Sequence, residues 1–297
     1  MKKIEEIKIL VLGDIMVDKY IIGSVDRMAQ EAPVPIVKVK NEYRTLGGAG
    51  NVVKNLSTLG VNVTFFGCCG DDDNGSFIKN ELEKLMVNHY MFKTRECTIE
   101  KKRIIEENRG VMMLRVDRED FIVHEADFLI EGDFDYVIVS DYGKGFINSF
   151  LMEKIERFTD KLIIDPHSSN YTVYKKAFLI VPNEKEEEFG RRKSLELKYK
   201  IITMGKRGML LVDYSDNLGE SKETYIPTEE VEVYNVTGAG DTVVSILSLC
   251  LSLGLSVYES AIISNDCANY VVQKSGTSVV PKDIFLEIFE KRSGITL

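Results

Sequence analysis

Six short, continuous apolar runs constrain this chain more than any other feature: residues 8–13, 63–68, 136–140, 161–164, 178–181 and 200–203. Runs of this kind, with no polar face, suit strands buried on both sides, as in a parallel sheet covered by helices. Helical patterning fills several of the intervals, at 49–59, 75–85, 149–158 and 183–190. The alternation predicts an α/β fold with a mostly parallel sheet.

Two stretches, 18–40 and 92–116, break that alternation and read as half-polar extended strands with no helix between them. The second holds strand candidates at 98–105 and 110–116, separated by a turn-prone 106–109. They could form a small flanking sheet or lid, or edge strands of the main sheet, and periodicity alone does not choose. An apolar helix candidate spans 243–253, and an amphipathic helix at 282–291 follows Pro281. With no repeat and no low-complexity linker, residues 1–297 read as a single domain with a lid at about 18–40 and 92–116.

Composition excludes several function classes. Lys and Arg total 38 against 47 Asp and Glu, a formal charge of -9, which argues against a nucleic-acid clamp. A small phosphorylated substrate is still allowed, because a local site can be positive inside an acidic shell. No stretch approaches the ~18 apolar residues of a membrane span, and the run at 7–12 is too short for a signal peptide. Cys68, Cys69, Cys97, Cys250 and Cys267 are odd in number and lack C-x-x-C spacing, so free thiols in a reducing cytoplasm are expected. His89, His124 and His167 lie too far apart in sequence to suggest a metal cage.

The strongest local motif is Val236-Thr237-Gly238-Ala239-Gly240-Asp241-Thr242, placed just before an apolar helix. A Gly-x-Gly turn at a helix start aims free N–H groups and the positive dipole end at one point, an anion site suited to a transferring phosphoryl group. Asp241, in the first turn, could accept the proton of an attacking hydroxyl. It could equally serve only as a helix-capping group. Asp14 ends the first strand, where α/β proteins place ligands. Gly47-Gly48-Ala49-Gly50-Asn51 opens the next helix. Asn51 can donate and accept while Asp14 accepts only, a pairing suited to sugar hydroxyls.

Together these two glycine motifs resemble the pair that marks the ribokinase-like (PfkB) carbohydrate kinases. Asn183-Glu184-Lys185-Glu186 fits that family's N-x-x-E motif, and Thr203-Met204-Gly205-Lys206-Arg207-Gly208 is similar to its T-x-G-x-x-G nucleotide segment. Within the family, Gly13-Asp14-Ile15-Met16-Val17-Asp18-Lys19-Tyr20, Glu31-Ala32-Pro33-Val34-Pro35-Ile36-Val37, Ser140-Asp141-Tyr142-Gly143-Lys144-Gly145 and Asp165-Pro166 resemble the heptose-7-phosphate kinases of lipopolysaccharide core biosynthesis. The resemblance implies a three-layer ribokinase-like sandwich with a β-strand lid. It implies ATP-dependent phosphorylation, on O1, of D-glycero-β-D-manno-heptose 7-phosphate. Many such kinases are fused to a nucleotidyltransferase; this sequence ends after the kinase-like region, so the kinase activity alone is expected.

By resemblance, Asp241 would be the base, and Gly238, Ala239 and Gly240 the anion hole. Asp14, Gly47, Gly48 and Asn51 would hold the sugar. Asn183 and Glu186 would organise Mg2+ and the ATP phosphates, Glu186 through water. Thr203, Gly205 and Gly208 would line the nucleotide, with Asn265 and Asn269 beside the base. The sugar's own phosphate needs cations, and Arg103, Arg109 and Lys144 are the candidates. Relatives often pair through the lid strands, so a homodimer there is one option and the oligomeric state stays open.

The sequence departs from the family at three places. Asn235 stands where the family usually has Asp, which removes a negative charge near a monovalent-cation site and speaks against activation by such an ion. His167-Ser168-Ser169 replaces the usual Lys-Gly after Asp-Pro, and the turn at 106–110 is about two residues longer than the family pattern implies. Kinase chemistry is therefore better supported than the exact sugar. A kinase of another sugar or nucleoside, or a non-catalytic sugar- or nucleotide-binding protein, are the alternatives.

Overall fold

The structure, a computed structural model, describes residues 2–93, 96–119, 130–190, 195–215, 221–274 and 278–297; His124 lies outside them. In chain order the first elements are β1 (Lys8–Gly13), β2 (Ile15–Met28), β3 (Pro35–Gly48), α1 (Ala49–Leu59), β4 (Asn62–Cys69) and α2 (Asp73–Lys84). Then come β5 (Asn88–Lys93), β6 (Glu100–Glu106), β7 (Val111–Arg118), β8 (Tyr136–Ser140), α3 (Ser149–Phe158) and β9 (Leu162–Asp165). The last are β10 (Lys176–Ile180), α4 (Glu184–Gly190), β11 (Glu196–Thr203), β12 (Met209–Asp213), β13 (Lys222–Ile226), α5 (Ala239–Ser252), α6 (Val257–Val272) and α7 (Lys282–Ser293).

Nine strands form the main sheet in the order β13-β12-β11-β10-β9-β8-β1-β4-β5. The pairings from β11 through β5 are parallel, and β12 and β13 close the other edge antiparallel. Helices cover both faces, which makes three layers. Alternation within each apolar run serves the two sides: Ile9 and Val11 of β1 join the core with α1, α5, α6 and α7, while Leu10 and Leu12 join the core with α3. A strand sandwiched in this way has no solvent side, which is why its sequence lacks a polar face.

β1 pairs with β4 on one side and β8 on the other, so the winding direction reverses there. At such a reversal the crossovers leave opposite faces of the sheet, and a crevice opens at the carboxyl ends of the strands. Here those ends lead directly into Asp14 and Asp141.

The irregular segments form a second, four-stranded sheet in the order β3-β2-β6-β7. Its strands reach beyond the segments read from sequence: β2 begins at Ile15 and β3 continues to Gly48. Phe92 lies instead on β5, which pairs parallel with β4 at the edge of the main sheet. Helix α6 was less legible because its buried side includes Ser260, Ser264 and Asn265 as well as apolar residues.

Candidate active site

Helix α5 starts at the carboxyl edge of the sheet. Gly238 precedes it with φ 84° and ψ 3°, a left-handed conformation that a side chain would disfavour. Of the three residues expected to form the anion hole, Ala239 spends its N–H on the Val236 carbonyl at 3.3 Å because the turn closes there, whereas the N–H of Gly240 has no intrahelical acceptor. A Cβ placed on Gly240 would find no atom within 4 Å, so the space beside this turn is open to a ligand. Asp241 sits in that turn, buried, with its carboxylate held from two sides. Asn51 Nδ2 donates to Oδ2 at 2.8 Å, and the Tyr142 hydroxyl donates to Oδ1 at 2.5 Å. Burial pushes its pKa above the ordinary carboxylate value, against the opposing pull of these two hydrogen bonds. A buried carboxylate with raised basicity at an anion-binding helix start has the attributes of a general base.

Asn51 thus orients the Asp241 carboxylate, a contact the sequence did not disclose. Its Oδ1 is buried and has no hydrogen-bond partner among the described residues. Asp14 is fully buried, and its carboxylate accepts N–H bonds from Tyr142, Lys144 and Phe146. It therefore anchors the 142–146 loop that carries the Tyr142 ring. Gly48 has φ 59°, and a Cβ there would stand 2.4 Å from the Asp14 carbonyl oxygen, so its close approach to the backbone between β1 and β2 requires glycine. A Cβ on Gly47 would stand 2.6 Å from Asp18 Oδ2.

The lid contributes a charged cluster over this crevice. Register places Asp18 opposite Lys101 and Tyr20 opposite Arg103 on the paired strands β2 and β6. Arg103 donates to Asp18 Oδ1 at 2.6 Å and lies over the Tyr20 ring. Lys101 Nζ lies 5.4 Å from the Tyr142 ring centroid, and no described carboxylate pairs with it within 4.0 Å. Burial lowers its pKa, and its charged neighbours include Asp18, Arg115 and Lys144. Lys144 pairs with Glu119 at 2.7 Å. Arg109, the third cation candidate, is not brought to this cluster. It is an exposed residue of the β6–β7 turn beyond Glu106, at the opposite end of the strand from Glu100 and Lys101. Strand β6 runs on from Arg103 to Glu106, roughly 10 Å at the usual rise, before the turn that carries Arg109.

On the other side of Asp241 a cavity of about 280 Å³ is lined by Asp141, Tyr142, Asp165, His167, Asn183, Glu186, Thr203, Gly238 and Gly240, among others. Its carboxylates crowd one another. Asp165 is pushed well above the ordinary value by burial and by Asp241, Glu186 and Asp141, and Asp141 rises to about 6, chiefly through burial. Locally, Asn183-x-x-Glu186 is a capping box. Asn183 Oδ1 accepts from the N–H groups of Lys185 and Glu186, while Glu186 Oε2 accepts from the Asn183 N–H. This arrangement fixes Glu186 at the cavity wall, where burial raises its pKa. No group of three metal-ligating side chains is preassembled among the described residues. The donor set still fits a divalent cation held partly through water, since such an ion would offset the mutual repulsion of these carboxylates.

Thr203 and Gly240 also line a second cavity of about 380 Å³, so the two are neighbours across these residues. Gly205, Gly208, Val231, Val243, Asn265 and Asn269 are among its other walls. Asn265 and Asn269 donate to the carbonyls of Pro227 and Glu229, tethering the 227–233 segment as one wall of the cavity. Asn235 spends its side-chain oxygen on the Thr237 N–H and thereby shapes the turn before α5.

Asp18, Lys101 and Tyr142 also lie at this candidate site, and the sequence alone assigned them no role. Asp14, Met16 and Asp18 share one strand face at a spacing of two, a usable signal for Asp18. Lys101 carried none, because its position depends on pairing between strands 83 residues apart.

The chain can be compared with known proteins on this footing. Residues 6–283 match the family model described as pfkB family carbohydrate kinase. The bifunctional protein HldE of Citrifermentans bemidjiense is 36% identical over 95% of this chain and 63% of its own length. HldE of Desulfatibacillum aliphaticivorans is 37% identical over 92% of this chain and 61% of its own. The chain thus spans a little under two thirds of these relatives. Among solved structures, the tetrameric inhibited form of Escherichia coli phosphofructokinase-2 superposes with a TM-score of 0.76 at 17% identity, covering 97% of this chain and 99% of that one. Arabidopsis thaliana ribokinase complexed with ribose and ATP gives 0.70 at 16%, covering 95% and 98%. These two show the ribokinase-like fold. With a buried carboxylate at the start of α5 and a family match that covers nearly the whole chain, this protein belongs to the pfkB family of carbohydrate kinases.

Proposed function

We propose that the chain transfers the γ-phosphoryl group of ATP to O1 of D-glycero-β-D-manno-heptose 7-phosphate. The observation that carries this reading is the placement of Asp241. It stands between a lid-covered crevice with a cationic cluster and a carboxylate-lined cavity that adjoins a second, larger one. The larger cavity suits a nucleoside, with Thr203, Gly205, Gly208, Asn265 and Asn269 around it. Its neighbour across Thr203 and Gly240 suits the phosphates.

In this mechanism Asp241 takes the proton of the sugar hydroxyl as its oxygen bonds to the γ-phosphorus. The bond from that phosphorus to the β–γ bridging oxygen breaks, and ADP leaves. The amides of Gly238 and Gly240 hold the negative oxygens in flight, while the Ala239 N–H closes the turn on the Val236 carbonyl. Glu186 and Asp165 would hold Mg2+, which would offset phosphate charge. Asn51 and Asp18 hold sugar hydroxyls, and Gly47 and Gly48 let backbone approach them. The sugar's own phosphate meets Lys101, with Arg103 and Lys144 beside it. Lys101 suits this role best, because a partly desolvated ammonium with no carboxylate partner among the described residues gains most from a phosphate.

The outer lid surface exposes Val39, Val111, Leu114 and Val116, and among the described residues β7 is an edge strand. A second copy covering this surface would remove both apolar exposure and an open edge. None of the five cysteines is in a disulfide, which suits the cytoplasm, where ATP and sugar phosphates occur. No helix among the described residues is long and apolar enough to cross a membrane.

The test is ADP release from the purified protein with a panel of phosphorylated and unphosphorylated sugars, the product being read by phosphorus NMR. Strong preference for heptose 7-phosphate, with a new anomeric phosphate resonance, is the expected result. Preference for an unphosphorylated sugar would overturn the role given to Lys101.

A further inference from the structure

The cavity on the phosphate side of Asp241 is lined by four carboxylates, those of Asp141, Asp165, Glu186 and Asp241, and by no Lys or Arg among the described residues. His167 is its one lining side chain that can carry positive charge. The ring is held in place by contacts that leave little freedom. The Ser169 N–H donates to Nδ1 at 3.4 Å, and Ser169 Oγ lies 2.8 Å from the same nitrogen. With Nδ1 accepting, the proton resides on Nε2, so the ring's remaining polar atom is a donor. The Nδ1–Cε1 edge packs on Gly143, where a Cβ would stand 2.4 Å from Nδ1.

The backbone is held as firmly. The His167 N–H donates to the Tyr174 hydroxyl at 3.2 Å, and that hydroxyl donates to Asp141 Oδ2 at 2.5 Å. Asn170 Nδ2 donates to the same Asp141 oxygen at 2.8 Å, and Asp141 Oδ1 accepts from the Gly143 N–H at 2.7 Å. One buried carboxylate therefore ties the His167 segment to the 142–146 loop that carries Tyr142. A ring fixed through Nδ1, in a cavity otherwise lined by oxygen acceptors and a few amides, is built to present its Nε2–H to an anion.

We propose that His167 donates from Nε2 to an oxygen of the transferring phosphoryl group, opposite the amides at the start of α5. The inference rests on the kinase reading but not on the identity of the sugar. Donors on two sides of the phosphoryl group hold it in line with the hydroxyl that faces Asp241. In this chain they also supply from a side chain some of the positive potential that the carboxylate wall removes. Because the phosphoryl oxygens become planar and move toward the hydroxyl only during transfer, a donor fixed on that geometry fits the group in flight better than bound ATP, and its loss falls on kcat more than on KM.

The test compares wild type, His167→Ala and His167→Gln with whichever sugar the wild type phosphorylates best, so a wrong sugar assignment and a wrong role for His167 give different results. Turnover is measured beside binding of ADP alone and of ADP with aluminium fluoride and sugar, a mimic of the group in flight. One lost donor to a charged oxygen corresponds to about 10- to 100-fold. His167→Ala is expected to lose that much in kcat and in affinity for the aluminium fluoride complex, with ADP binding and KM for sugar little changed. His167→Gln, whose Nε2 can reach the same place, is expected to recover most of both. Wild-type kcat in the alanine variant, a glutamine variant as impaired as alanine, or equal losses in ADP and aluminium fluoride binding would each overturn the proposal. If the alanine variant does not fold, His167→Met, which fills the ring's volume without an N–H, replaces it in the same comparison.

Discussion

Tyr142→Phe isolates one hydrogen bond to the base and leaves the rest of its setting in place. The Tyr142 hydroxyl donates to Asp241 Oδ1 at 2.5 Å, while Asn51 holds Oδ2. The Asp14 contact uses the backbone N–H of residue 142, and the Lys101 contact uses the ring, so phenylalanine keeps both. The lost bond stabilises only the ionised carboxylate, and hydrogen bonds to charged groups contribute about 1.5–3 kcal/mol. At 1.36 kcal/mol per pH unit that amounts to about 1–2 units. Asn51 compensates in part as the carboxylate resettles, so the lower end, about 1 unit, is expected.

The direction follows from the chemistry of the base. Burial already raises the pKa of Asp241, and the tyrosine opposes that rise. Its removal raises the pKa further, so activity is lost at a higher pH as the solution is acidified. The assay is kcat/KM for the sugar from acid to mildly alkaline pH, whose acid limb reports the base in the free enzyme. The Phe variant should show that limb displaced upward, with a plateau close to wild type above it. An acid limb that coincides with the wild type, or one displaced downward, would refute the assignment of Asp241 as the titrating base held by Tyr142. Unchanged melting in both proteins at the pH of the plateau separates the effect from misfolding.

Asp241→Asn keeps the size and burial of the side chain but cannot accept the proton; turnover should fall by about 10²–10⁴ or more, while ATP binding by calorimetry changes little. Lys101→Met should raise KM for a phosphorylated sugar by about 10-fold or more, the scale of one charge-assisted contact, with a smaller effect on its unphosphorylated counterpart. Arg109→Ala, at the far turn of the lid, should leave both KM values unchanged, and a loss comparable with Lys101→Met would mean that the lid reaches the substrate differently. Leu114→Glu on the exposed strand β7 should convert a dimer to a monomer in light scattering; an unchanged mass would remove the lid surface as the interface.

Much of this protein was determined by its sequence alone, because the relevant physics is local. Double-sided burial leaves an apolar run, so the strands near residues 8, 63, 136, 162, 178 and 200 were legible at once. A helix start that must present free amides needs glycine and a small neighbour, so the Gly238–Gly240 turn and Asp241 were legible too. Tertiary structure decided what depends on pairing across distance. Only the parallel register of β2 with β6 sets Lys101 opposite Asp18, and only the length of the lid strands carries Arg109 away from the crevice. The carboxylate of Asp14 is committed to the 142–146 loop by a contact spanning more than a hundred residues. His167 stood out in the sequence merely as a departure from a family pattern; the enclosing wall of Asp141, Asp165, Glu186 and Asp241 is what gives its imidazole a task. Chemistry that belongs to one segment is written in that segment, whereas charge balance in a cavity is a property of all the segments that meet there.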